Sequence, residues 1–280
     1  MSSPQAGFWT SPMLRWAAAG IVVINGFFPA VWILFTSLKT EVELVHKPIT
    51  WLPAAPTIEN YIRAFSDQPL LRYLGNSFFV ATGATVLSLL VAACAAYAIA
   101  RLNLKRRQFI LTCIVASSMF PLVTLLVPIF ETMRALGWLN TYAALILPYV
   151  VLNLPVCTLV LVSFFQSIPR DLENAAMIDG CTRLGALWRV VVPLAAPGVF
   201  TAGILAFVNA WDEFLLALSL NSSPAVRTLP VGITLYQGEF TFPWPIISAA
   251  LIVAIVPIAV LIAVFQERVV GGLTQGGLKG

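Results

Sequence analysis

Six runs of about twenty apolar residues, at roughly 14–38, 75–100, 109–130, 142–166, 195–220 and 245–266, leave this 280-residue chain few ways to fold. A hydrocarbon layer about 30 Å thick offers backbone N–H and C=O groups no water, and an α-helix of about 20 residues satisfies them internally. Each run therefore reads as a bilayer-crossing helix, and the chain as an all-α membrane protein with six transmembrane helices forming one domain over 1–280. With 59% of residues hydrophobic and 10% charged, a soluble domain is excluded. The first run is longer than a signal-peptide core and lacks a small-x-small cleavage pattern, so it reads as retained.

Charge sets the expected orientation. "RLNLKRRQ" after the second run carries Arg101, Lys105, Arg106 and Arg107 without an acid, and Arg170, Arg183 and Arg189 follow the fourth. An excess of Lys and Arg in short loops marks the cytoplasmic side. Both termini are then expected inside, in the cytoplasmic membrane of a prokaryote, with the loops at 39–74, 131–141 and 221–244 outside. Cys94, Cys113 and Cys157 lie within apolar runs and Cys181 on the inner side, which implies no disulfide framework.

The chain carries no metal-binding motif, no nucleophile paired with a base and no GxxxxGK[ST] phosphate loop. Enzymatic chemistry, a bound metal and nucleic-acid binding are not expected, and His46, alone in an outward loop, receives no role. Transport driven by ATP would need its engine on another chain.

The segment "ENAAMIDGCTRLGALWRVVVPL", Glu173–Leu194, concentrates charge between two apolar runs. Ser167 can cap a helix, Pro169 fits a first turn, Asp171 and Glu173 complement the helix dipole, and Gly180 is a fitting stop. Leu172, Ala175, Ala176 and Ile178 give that short helix a small apolar face. A second helix is expected from a Thr182 cap through Val191, broken by Pro193 and Pro197. Physics alone leaves two readings open: a cytoplasmic knob that docks on a partner, or a hairpin lying on the lipid headgroups with Trp188 and Arg189 as anchors.

The spacing of Ala175, Ala176, Asp179, Gly180, Val190, Val192 and Pro193 resembles the EAA loop of ATP-binding-cassette (ABC) importer permeases. Asn174 stands where that family has its glutamate, with Glu173 one residue earlier. The tail "GGLTQGGLKG", with Gly272, Leu273, Thr274, Gln275, Gly276 and Gly277, is similar to that of the second permease in maltose-type importers, and "NAWDEFLLAL" resembles the same carbohydrate-uptake branch. The resemblance implies a type I ABC importer transmembrane domain with a cytoplasmic coupling-helix loop at 167–194 and a tail at 267–280 that reaches the ATPase. It implies that Glu173, Asn174, Ala175, Ala176, Asp179, Gly180 and Pro193 serve coupling. Partners would be a second permease subunit, two ATP-binding-cassette ATPase subunits using ATP and Mg, an extracytoplasmic sugar-binding protein, and membrane lipids. The cargo would be a carbohydrate, a small oligosaccharide or glycoside. A polyol or glycerol-phosphate importer, or a self-sufficient secondary carrier or channel, are the rival readings.

Asp212 and Glu213 fall inside the fifth apolar run, where an ionised carboxylate costs about 2.5–3.5 kcal/mol at the bilayer centre. They must face protein or water, and neighbours on a helix point about 100° apart. One can line a pathway while the other pairs. Asn153 and Asn209 are polar candidates of the same kind, for substrate contact or for bonds between helices. Pro121, Pro128, Pro148 and Pro155 allow kinks in the third and fourth runs.

Overall fold

The computed structural model describes residues 12–238 and 241–277, with Pro12, Leu14 and the residues beyond 265 described by their backbone alone. The path is helical throughout: α1 (Pro12–Ser37), α2 (Glu41–Val45), α3 (Glu59–Asp67), α4 (Leu70–Arg101), α5 (Arg107–Ser118), α6 (Leu122–Ala135) and α7 (Ala143–Ser167) come first. They are followed by α8 (Arg170–Ile178), α9 (Arg183–Ala186), a π-helical turn at Leu187–Val191, α10 (Val192–Leu194), α11 (Ala196–Trp211), α12 (Leu215–Leu220), α13 (Leu229–Thr234) and α14 (Trp244–Gly277). Among the described residues four helices are long and apolar enough to cross a membrane, or up to six if each of two bent pairs is one crossing.

The bent pairs are where the expected runs differ from the structure. The third run, expected at 109–130, is α5 and α6 meeting at 88°. Ser117 and Ser118 turn their hydroxyls back onto the carbonyls of Ile114 and Val115 (2.8 and 2.7 Å), and Pro121, which has no N–H to continue the ladder, opens α6. The fifth run, expected at 195–220, is α11 and the short α12 in place of one continuous helix. An 84° bend after Leu194 precedes α11, and a break at Asp212–Phe214 separates it from α12. Pro128, Pro148 and Pro155 instead lie inside continuous helices.

Contacts divide the chain, expected as one domain, into two compact units. One unit comprises Met1–Leu70 with Ile233–Ile255, the other Leu71–Gly232 with Val256–Gly280. In the first, the loop after α1 is folded around Lys39, which is 2% exposed. Its ammonium donates to the Thr50 carbonyl and sits 5.4 Å from the Trp32 ring centre. Asn60 donates to the carbonyls of both Ser37 and Lys39 at 2.8 Å. The Glu43 carboxylate accepts from the Thr50 hydroxyl (2.7 Å) and the Ala54 N–H (2.9 Å), and these two bonds, with the nearby Lys39 charge, hold its carboxyl below the usual carboxylate range.

In the second unit, α7 packs along α11. The contact is close because Gly198 faces Phe164: a methyl group at Gly198 would stand 2.3 Å from the ring. The core joins the last turns of α4 (Ala92, Ala93, Ala96, Tyr97) to the end of α7 (Leu161, Phe165), the π-helical turn (Leu187, Val191) and the middle of α11 (Ala202, Ala206). Small residues along α4 allow this close approach. At about 1.5 Å per residue, the 32-residue α4 is about 48 Å long, well beyond a 30 Å hydrocarbon layer.

Candidate functional site

The charged segment folds into a compact two-helix loop on the end of this core. α8 starts at Pro169 with Asp171 and Glu173 in its first turn. The expected Ser167 cap is not used, because its hydroxyl donates back to the Phe164 carbonyl at 2.8 Å and so stays with α7. Gly180 ends the helix with φ +90°, which a side chain would strain, while its N–H donates to the Met177 carbonyl and that of Cys181 to Ala176 (3.1 and 3.0 Å). Thr182 caps the next turn, its hydroxyl accepting from the Gly185 N–H at 3.1 Å. Helical backbone then runs through Pro193, and the bend falls after Leu194 rather than at the proline.

The loop has two chemically different sides. Leu172, Asn174, Ala175, Asp179 and Gly180 are exposed, Ala176 is half-buried, and Ile178 is 86% exposed. Pro193 is exposed too. Glu173, in contrast, is only 7% exposed. Its Oε2 lies 3.2 Å from Arg101 Nε, its Oε1 accepts from the Tyr97 hydroxyl, and Arg101 Nη2 donates to the Ile168 carbonyl at 3.0 Å. A carboxylate facing its own chain in this way does not present itself to a partner. The sequence places Glu173 among the coupling residues without any sign of these partners, because Tyr97 lies 76 positions away. Breaking such a buried pair by removing one member costs about 3–5 kcal/mol.

Three of the four polar candidates of the apolar runs, Asn153, Asn209 and Glu213, join a set of hydrogen bonds along the α7–α11 contact. Asn209 Nδ2 donates to Asn153 Oδ1 at 2.9 Å, and Asn153 Nδ2 donates to the Tyr149 carbonyl at 2.9 Å. One turn further, the Tyr149 hydroxyl donates to Glu213 Oε2 at 2.6 Å. Glu213 also accepts from the N–H groups of Leu216 (2.9 Å) and Ala217 (3.1 Å), so it caps α12. Asn153 is 2% exposed. Asn153 thus bonds across the α7–α11 contact, and Glu213 ties α7 to the start of α12. Asn209 and Asp212 are exposed and three positions apart, on one face of the helix end. Tyr149 was not among the candidates: a tyrosine inside an apolar run gives no sign that it holds an acid.

The backbone of Gly272, Leu273, Thr274, Gln275, Gly276 and Gly277 continues α14, where a separate tail from 267 was expected. Their side chains, and residues 278–280, lie outside the described residues.

Three comparisons bear on this arrangement. A family model described as "Binding-protein-dependent transport system inner membrane component" matches residues 84–274. The chain is 72% identical over 275 residues to the sulfoquinovosyl glycerol transport system permease protein SmoH of Agrobacterium fabrum, covering 98% of this chain and 96% of that protein. It is 37% identical over 263 residues to the trehalose/maltose transport system permease protein MalG of Thermococcus litoralis, with 93% and 94% covered. In fold it is similar to a chain from the crystal structure of a bacterial ABC transporter involved in the import of the acidic polysaccharide alginate, with a TM-score of 0.78 at 21% identity over 91% of this chain and 95% of that one.

Proposed function

The chain belongs to the family of binding-protein-dependent transport system inner membrane components, and from that membership we propose the finer parts of its role. It is a multi-pass inner-membrane protein and a permease, not an enzyme. Our reading is that it forms one of two permease subunits of an ABC importer, with two ATPase subunits consuming ATP and Mg and a sugar-binding protein delivering cargo from outside. Both termini lie on the cytoplasmic side in this reading, because the Arg- and Lys-rich loops after the second and fourth runs lie there.

The observation that carries the reading is the exposed side of α8. A short capped helix, held at the end of the core and presenting Leu172, Ala175 and Ile178 to solvent, fits a groove on a partner protein. Asn174, Ala175, Ala176, Asp179, Gly180 and Pro193 form or shape that coupling surface, and the tail at Gly272–Gly277 adds a second contact with the ATPase. The cargo is a glycoside, and the relative at 72% identity makes a sulfonated one of the sulfoquinovosyl glycerol kind our choice. Asn209 and Asp212, the two exposed polar groups of the α7–α11 strip, are the residues we place on its path.

Gentle purification of the tagged chain from native membranes, with mass spectrometry of what accompanies it, tests the assembly. A second permease and a P-loop ATPase are expected. A lone chain active in ion-driven uptake overturns the reading. Competition of labelled sulfoquinovosyl glycerol uptake by trehalose and maltose tests the cargo: no competition at a hundredfold excess is expected, and full competition overturns the choice.

A further inference from the structure

Glu173 lies in the segment that the proposed function makes the contact with the ATPase, yet it points the other way. Its carboxylate sits 9% exposed against an Arg101 side chain that is 4% exposed, and receives the Tyr97 hydroxyl as well. Arg101 and Tyr97 lie one turn apart on the last turns of α4. Arg101 also reaches the carbonyl of Ile168, at the junction of α7 with α8. Four groups thus tie three helices at one point: the end of α4, the end of α7 and the first turn of α8.

A buried ion pair has a property that apolar packing lacks. Apolar contacts slide at little cost, whereas separating two desolvated charges leaves each without compensation. Two helices joined this way move together or unfold locally. We infer that Arg101, Tyr97 and Glu173 form a clasp that makes the coupling helix and the end of α4 one mechanical body, so that Glu173 positions the docking surface and transmits its displacement without touching the ATPase. The clasp rests on the assignment of α8 as the coupling helix only for its role in transmission; as a device holding α8 in place it stands by itself.

The two aspects are tested separately, in the assembled importer reconstituted with its binding protein, using the wild type, Glu173→Gln, Tyr97→Phe and the exchanged pair Arg101→Glu/Glu173→Arg. Hydrogen exchange of the α8 amides reads the clasp. Exchange is expected to quicken about tenfold or more in Glu173→Gln, less in Tyr97→Phe, and to return part of the way in the exchanged pair. The number of ATP molecules hydrolysed per glycoside imported reads transmission, and is expected to rise several-fold in Glu173→Gln while both ATPase subunits remain bound. A merely structural contact would change stability and leave that ratio alone. Unchanged exchange in both single variants overturns the clasp. Faster exchange with an unchanged ratio overturns its role in transmission. If Glu173→Gln loses the ATPase, Tyr97→Phe decides: an intact complex with a raised ratio upholds the inference, and an unchanged ratio overturns it. A wild-type chain that brings no ATPase overturns the transmission role together with the proposed function, while the exchange data still judge the clasp.

Discussion

At Glu213 a carboxylate accepts three hydrogen bonds, from the Tyr149 hydroxyl and the N–H groups of Leu216 and Ala217. Replacing it by alanine leaves those donors without their acceptor, and Glu213→Ala is expected to lower the unfolding free energy by about 1–3 kcal/mol, read as a fall in melting temperature in detergent. Asp212 is its neighbour in sequence but not in role: it is exposed, and the stability of Asp212→Asn is expected within about 0.5 kcal/mol of wild type. If Asp212 lies on the cargo path as proposed, this variant changes the KM of uptake; kinetics identical to wild type would remove it from that path. Gly198 makes a further prediction at this scale. Its missing side chain lets α11 approach Phe164, and the added methyl of Gly198→Ala is expected to cost about 1–3 kcal/mol, checked by the same melting measurement.

Among the elements, the loop after α1 owes its form to charge as well as to packing. Glu43 is held below its ordinary pKa by the Ala54 N–H and the Thr50 hydroxyl, so its contribution is complete above the unfolded-state value and disappears as pH falls through the lowered one. Protection of the Ala54 amide is expected to fall over that acidic window, and Glu43→Gln is expected to abolish the pH dependence. The helices show which elements hydropathy makes legible. α1, α4, α7 and the apolar part of α14 are continuous apolar runs in the sequence and continuous helices in the structure. The interrupted third and fifth runs are not legible that way, because a window of hydropathy weighs side chains and ignores the direction of the backbone. Proline does not repair the ambiguity: Pro121 opens a new helix at a bend, whereas Pro148 and Pro155 are absorbed within α7. The short elements of the charged segment were more legible, since Thr182 and Gly180 are local signals that act on backbone groups two or three residues away.

Over the whole molecule, the membrane class follows from composition, and the short helices of the charged segment from a few local residues. The partners of its charges do not. Nothing near Glu173 in the sequence names Arg101 or Tyr97, since contacts made across folded space leave no local pattern in a single chain. The same distance has a consequence in time. A ribosome adding about 5–20 residues per second makes Glu173 roughly 4–15 s after Tyr97, with α5, α6 and α7 synthesised in between. During that interval Arg101 is a bare cation among Lys105, Arg106 and Arg107, of the kind that holds a loop on the inner side of the membrane during insertion. Once Glu173 arrives, the same guanidinium is buried and neutralised. In the proposed clasp Arg101 can meet its carboxylate only after α5, α6 and α7 have been synthesised, so the contact that fastens α8 to α4 is among the later ones open to the growing chain.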